Sequence, residues 1–370
     1  MKKLFTLSLV AVAMALGSCC GQKKAVSPFE KKSADCMATL LAWRDFKTGI
    51  WESAGWWNSA NILTCVIRYS EITGSDEFYP VIDDLFERAR HYYVAEEPPR
   101  ESWYADNFIG TYYDDEGWWA LAWVDAYNLT GKQAYLETAE IIFADLTTSW
   151  DEVCDGGIYW KKGEQKVYKN SISTTLFTLS AARLYKATGD ESYREWFEKG
   201  VQWIADKKLI DEKTFYVEDG LNSDCLSDEA GYYFTYNQGI PIGYLVEMYE
   251  LTKEDRFLEQ AENIADATIE GIFVTEDGIL RERNPDIERS GDGVQFKGAF
   301  IRNFARLYEV TRNPKYKDFI IRNAESIIAN NYDPASRSFG FLWYGPFEGP
   351  NTAANSSALE CVIEAYALTK

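Results

Sequence analysis

A chain of 370 residues, 46% hydrophobic and 26% charged, has the make-up of a globular protein, built as one large domain or a few smaller ones. Its 58 acidic against 38 basic residues leave a formal charge of -20, which sets it against phosphate backbones and polyanionic polymers and favours a neutral partner. The single histidine, His91, excludes His-rich metal sites and any mechanism that needs two imidazoles. It follows Glu87, Arg88 and Arg90 near the end of a helical run, where a cation complements the helix dipole. Hydrolytic chemistry therefore has to come from carboxylates or an unusual nucleophile. The 13 Trp, 24 Tyr and 20 Phe serve the core, and a surplus of flat rings also suits the C–H faces of sugars.

Residues 1–18 read as a lipoprotein signal peptide: Lys2 and Lys3, then a short apolar stretch from Leu4 to Leu16. That stretch falls short of the roughly 20 residues of a spanning helix. Leu16-Gly17-Ser18-Cys19 resembles a bacterial lipobox, which predicts cleavage before Cys19 and lipidation of its thiol. Loss of Lys2 and Lys3 would take the formal charge from -20 to -22. Residues 19–27 form a polar tether, and 28–370 a single domain. The tether begins Cys20-Gly21-Gln22-Lys23-Lys24, without the acids typical of surface export, and this favours the periplasmic face of the outer membrane over the cell surface. Cys20, Cys36, Cys65, Cys154, Cys225 and Cys361 show no CxxC or metal-like spacing; a cell-envelope location permits disulfides, but the spacing predicts none, and most of the six are expected to pack as small apolar groups.

From there a phrase recurs to the end of the chain: YSEITG, AYNLTG, LYKATG, YELTK, YEVTR and AYALTK. Its threonines, Thr73, Thr130, Thr188, Thr252, Thr311 and Thr369, are 57, 58, 64, 59 and 58 residues apart. Each phrase ends a helix, with Gly available for the left-handed C′ position in three of the six. Upstream lies a run apolar nearly all round, such as Trp118–Leu129, which must be buried on most sides. Downstream lies a charged amphipathic run, such as Phe78–Tyr92 or Tyr193–Asp206. The last phrase has no outer helix after it, and the run from Glu30 to Phe46 supplies the missing partner. Six inner and six outer helices then close as an all-α (α/α)6 toroid; the alternative, an open solenoid, usually carries distinct capping repeats.

In such a ring the inner helices are parallel and their N-termini open on one face. Fifteen or sixteen residues before the threonines stand Trp57 and Asn58, Asp114 and Asp115, Tyr236 and Asn237, Gln295 and Phe296, with Asn170 and Ser171, Asn351 and Asn355 near the corresponding places. Ser171 and Asn351 suit N-caps. The second repeat differs, reading Tyr112-Tyr113-Asp114-Asp115-Glu116-Gly117-Trp118-Trp119. The helix dipole alone would favour three acids there. The functional alternative is that desolvation among aromatics raises one carboxyl's pKa while the other stays ionised, separating an acid from a nucleophile.

This segment resembles glycoside hydrolase family 76, the endo-α-1,6-mannanases and related transglycosidases, in its YxDD-x-x-WW setting. WWNSAN (Trp56–Asn61), GGIYWK (Gly156–Lys161), YNQG (Tyr236–Gly239), QFKGAF (Gln295–Phe300) and ANSSALE (Ala354–Glu360) extend the resemblance over the mature chain. It implies retaining hydrolysis of α-1,6-mannosidic bonds in α-mannan or mannooligosaccharides. The chain is expected to be a monomer, and nothing in the sequence suggests a cofactor or metal. Asp114 would be the nucleophile and Asp115 the acid and base, with carboxyls about 5–5.5 Å apart. Asn237, Gln238, Gln295 and Asp292 are candidate hydroxyl partners and Trp57 and Trp160 candidate platforms, each weighed against hydrogen bonding or packing within the fold. The rival readings are a transglycosidase, an (α/α)6 glycosidase of another linkage, and a non-catalytic glycan-capture lipoprotein.

Overall fold

The computed structural model describes residues 27–94, 103–163, 168–227 and 232–370. The leader and Cys19, with the tether up to residue 26, lie outside the described residues. Along the chain an outer helix alternates with an inner one: α1 (Pro28–Ala42), α2 (Trp56–Thr73), α3 (Tyr79–Ala89), α4 (Tyr113–Thr130), α5 (Gln133–Thr147), α6 (Ser171–Thr188), α7 (Glu191–Asp206), α8 (Thr235–Thr252) and α9 (Asp255–Glu270). A one-turn α10 (Pro285–Glu288) precedes inner α11 (Gly293–Thr311), outer α12 (Pro314–Asn330) and inner α13 (Thr352–Thr369). Each inner helix packs on the next, α13 packs on α2, and α1 packs on α13, so the ring closes as the repeat predicts. Among the described residues the toroid is all-α apart from two short hairpins, β1 (His91–Val94) with β2 (Trp103–Asp106) and β3 (Tyr332–Asp333) with β4 (Ser338–Phe339).

The repeated phrase has a physical cause. In each inner helix the threonine hydroxyl donates to the carbonyl four residues back, as in Thr130 to Ala126 at 2.7 Å and Thr252 to Met248 at 2.9 Å. The next residue turns left-handed in five of them and donates its N–H to a carbonyl one turn back. Where that residue is not Gly it is Lys253 (φ 60°) or Arg312 (φ 54°), each with its cation 5.6 Å from the ring of Tyr249 or Tyr308. The glycines of two motifs answer to close approach between inner helices. A Cβ on Gly239 would lie 2.4 Å from the Phe300 Cα, and one on Gly298 2.9 Å from the Ser357 Cα.

The two mouths of the ring differ. At the C-terminal mouth, charged side chains tie neighbouring helices: Arg68 to Glu364 (2.7 Å) and Glu309 (3.1 Å), Arg183 to Asp125 (2.7 Å), Lys186 to Glu247 (2.5 Å) and Glu250 (2.9 Å), and Arg306 to Glu250 (2.5 Å). They surround a cavity of about 340 Å³ whose cations are thus already paired with carboxylates. The acid pair of α4 lies at the opposite, N-terminal mouth.

Three expectations change. Cys154 and Cys225 form a disulfide that joins the loops after α5 and α7, whereas Cys36, Cys65 and Cys361 are buried thiols. The 71-residue separation hides this pairing, because only the ring brings those two loops together. His91 does not end a helix: α3 stops at Ala89, and His91 opens β1, its Nδ1 meeting the Asp106 carboxylate across the hairpin. Asn351 caps α13 as expected, but the cap of α6 is Asn170, with Ser171 the first helical residue.

Left-handed residues with a Cβ carry a penalty that glycine lacks. Lys253→Gly and Arg312→Gly are each expected to stabilise the protein by about 0.5–1 kcal/mol. In thermal melts this is a rise of about 1–2 °C for a domain of this size, and Gly131→Ala should move the midpoint the other way.

Candidate active site

Four inner helices begin without a side-chain cap, namely α2, α4, α8 and α11. The helix-borne residues of the N-terminal mouth come from these four and not from the two capped tips, α6 and α13, and Trp160 joins them from the loop between α5 and α6. On α4 the apolar turns after the acids fix the register. Trp119 is buried against Trp56 and Phe108, with ring centroids 4.9 and 4.8 Å away, and Trp118 is buried inside the ring. Trp118 has its ring 5.8 Å from Trp57 and 6.5 Å from Tyr236, and Tyr236 stacks on Phe296 at 3.9 Å. This aromatic floor rests on the Arg302 guanidinium, 5.7 Å from the Trp118 ring.

Asp114 and Asp115 stand half-buried beside that floor, in different surroundings. Burial pushes the Asp114 carboxyl above the usual carboxylate range, and the Trp160 indole N–H and the backbone amides of Asp114 and Asp115 draw it back. The indole nitrogen donates to Asp114 Oδ2 at 3.2 Å. Asp115 is raised strongly by burial, and then by the negative charges of Asp114, Asp292 and Glu116. The structure therefore favours charge on Asp114 and a proton on Asp115.

Asp292, exposed at the start of α11, accepts from the Trp57 indole at 2.8 Å and so joins the same mouth. Trp160 is 38% exposed and offers ring surface next to Asp114. Asp114, Asp115, Trp57, Trp160 and Asp292 are thus brought together.

The amide residues singled out by the sequence are not placed alike. Gln238 is wholly buried, accepting from Val217 N (2.9 Å) and donating to the Val217 and Phe234 carbonyls (3.2 Å each). Gln295 is wholly buried against Ser356 (3.0 Å), and Asn237 donates to Asp219 at 2.8 Å from a buried position. These three serve the scaffold that holds the mouth.

Sequence reasoning missed other parts of the site. Tyr236 and Phe296 stand at the register of the acids, and their stacking on each other emerges only in the fold. The buried lysines gave no signal, since lysine is ordinarily a surface residue. Lys297 is wholly buried against Glu288, fixing α10 and with it the approach to Asp292. Lys169, also wholly buried, ties Ser149 O (3.0 Å), Asp151 (2.9 Å) and Gly157 O (3.0 Å) beneath the segment that leads to Trp160. Among the described residues no group of His, Cys, Asp or Glu is placed to hold a metal ion.

The family model for glycosyl hydrolase family 76 matches residues 39–370. The mannan endo-1,6-alpha-mannosidase DCW1 of Saccharomyces cerevisiae is 25% identical over 338 residues, 85% of this chain and 72% of that protein. The protein of the same name from Candida glabrata is 30% identical over 168 residues, 42% of this chain and 37% of its own length. The chain thus spans from about a third to nearly three quarters of these curated relatives. Among solved structures, an inactive variant of the alpha-1,6-mannanase GH76A of Salegentibacter sp. HEL1_6 in complex with alpha-1,6-mannotetrose superposes with a TM-score of 0.81 at 23% identity, covering 93% of this chain and 100% of that one. The Lin0763 protein from Listeria innocua gives 0.79 at 26% identity, covering 92% and 97%.

A carboxyl whose folded pKa is raised holds its proton more tightly in the folded protein. Its burial costs nothing below the unfolded pKa near 4 and costs progressively more as pH rises toward the folded value. Asp115→Asn is therefore expected to melt at a higher temperature than the parent at pH 8 and at the same temperature at pH 4. Trp160→Phe removes the donor on Asp114, so the titration of that carboxyl should move to higher pH, by about one unit.

Proposed function

Because the chain belongs to glycosyl hydrolase family 76, we propose that it is an endo-acting, retaining α-1,6-mannanase in which Asp114 is the nucleophile and Asp115 the acid and base. The observation that carries the reading is the split environment of two adjacent carboxyls above an aromatic floor. Asp114 has N–H donors that favour the carboxylate, and Asp115 has burial and like charge that favour the acid. The Salegentibacter relative supports the assignment, since its inactive variant has two adjacent aspartates replaced by alanine and is in complex with alpha-1,6-mannotetrose.

In the first step Asp114 attacks the anomeric carbon as the glycosidic C–O bond breaks, and Asp115 gives its proton to the departing oxygen. The product is a mannosyl ester on Asp114 and a shortened chain. Asp115, now a carboxylate, takes a proton from water as the water oxygen attacks the anomeric carbon, and Asp114 leaves as a carboxylate with net retention. Trp57 and Tyr236, half-buried on top of Trp118 and Phe296, offer apolar faces to the sugar C–H groups, and Asp292 a hydroxyl acceptor.

We further read the chain as a lipoprotein held by Cys19 at the cell envelope, on the periplasmic face. The Cys154–Cys225 bridge supports an oxidising compartment.

The test is digestion of linear α-1,6-mannan with product lengths and anomeric configuration followed by NMR. Internal cleavage with α-anomeric products is expected. β-Anomeric products refute retention, and lengthened chains identify a transglycosidase. Asp114→Asn and Asp115→Asn should each lower turnover about 1000-fold while mannooligosaccharide binding stays measurable by calorimetry. The kcat/KM profile should be bell-shaped, its lower limb set by Asp114 and lying above the ordinary carboxylate value of about 4.

A further inference from the structure

The third acid of the run, Glu116, has no place in the chemistry above, and neither does Lys162. Glu116 is wholly buried, and its Oε1 accepts from Gly110 N at 3.1 Å and from Lys162 Nζ at 2.6 Å. Lys162 Nζ also lies 2.6 Å from Asp145 Oδ2, on outer helix α5. The main chain between these anchors is paired with the start of α4: Tyr113 N donates to Trp160 O and Lys162 N to Thr111 O, both at 2.9 Å, with Tyr112 bridging Lys161. Trp160 thus sits on a short ladder closed by the lysine, and its indole reaches Asp114.

We propose that Lys162 is a positioning residue. By clamping the 160–162 segment to α4 through Glu116 and to α5 through Asp145, it holds the Trp160 N–H on the Asp114 carboxylate. This rests on the assignment of Asp114 above. The groups that act on Asp114 are Asp115 on its own helix, Trp160 on the clamped segment, Tyr236 on α8 and Asp292 before α11, while Glu116 acts on Asp115 and is paired with Lys162. Among them Trp160 is the neutral donor whose place depends on the clamp.

The test compares Lys162→Met, Lys162→Arg, Trp160→Phe and the double variant Trp160→Phe/Lys162→Met. Because Lys162→Met leaves Glu116 buried without its cation, Glu116→Gln/Lys162→Met serves as the folded control, verified by circular dichroism. Two readouts are taken: kcat/KM against pH on an α-1,6-mannooligosaccharide, and the pH titration of the Asp114 carboxyl by 13C NMR, which needs no substrate. The clamp predicts that the Asp114 titration and the lower limb move up by about one pH unit in Lys162→Met and in Glu116→Gln/Lys162→Met. It predicts a fall in kcat/KM of about tenfold at pH 6, retention of the parent profile in Lys162→Arg, and no added shift when Lys162→Met is placed on Trp160→Phe. A parent-like titration in the folded control, or shifts that add in full in Trp160→Phe/Lys162→Met, would overturn it. If the parent cleaves no α-1,6-mannan, the reading of function falls, and the NMR titration still decides the clamp.

Discussion

Two carboxyl groups next to one another in sequence must lie out of bulk water, and one of them must remain charged there. Withdrawal from water raises both, and the second charge raises its neighbour further. What separates them is hydrogen bonding given to one side only. Asp114, at the uncapped tip of α4, has backbone amides and the Trp160 indole around it, while Asp115 faces other acids. The orientation of α4 is therefore part of the chemistry, because an inner helix of reversed direction would present carbonyl oxygens to these acids.

That arrangement needs loops that hold still, and this chain fixes them with buried cations. Lys169 gathers the carbonyls of the segment leading to Trp160, Lys162 closes that segment on α4, and Lys297 with Glu288 anchors α10 beside Asp292. The Cys154–Cys225 bridge adds a covalent tie from the loop that carries Trp160 to the loop after α7. A buried ion pair adds little net stability over an apolar pair of the same shape, but breaking one by removing a single partner costs about 3–5 kcal/mol. Such pairs specify one loop geometry more than they raise the stability of the fold.

The C-terminal mouth uses charge differently. Arg68, Arg183, Lys186 and Arg306 lie toward the ends of inner helices, where cations complement the dipoles, and each is bonded to a carboxylate of a neighbouring helix. Charge there joins helix to helix and is neutralised, while at the N-terminal mouth Glu116 and Glu288 are paired with lysines and Asp114, Asp115 and Asp292 form no salt bridge among the described residues. Arg302 lies between the two regimes, paired with Glu360 at 3.2 Å on one side and supporting the Trp118 ring on the other.

The sequence by itself determined the ring. A helix end needs its carbonyls satisfied locally, so the Thr and the left-handed residue after it recur wherever an inner helix stops, and their spacing counts the repeats. Because every inner helix has nearly the same length, counting back from those ends also located Asp114, Asp115 and Trp57 at one mouth, with Asp292 just ahead of the corresponding place on α11. Tertiary structure decided the partners. Asn237, Gln238 and Gln295 occupy the same register as the acids, yet the loop carrying Val217 and Asp219 folds over Asn237 and Gln238 and takes up their hydrogen bonds, and Gln295 is held by Ser356 on the neighbouring inner helix α13. The pairing of Cys154 with Cys225, of His91 with Asp106, and of the Trp160 indole with Asp114 likewise joins segments that only the folded ring brings within reach. Local periodicity places a side chain on a helix face; what meets it there depends on loops whose paths no repeat encodes.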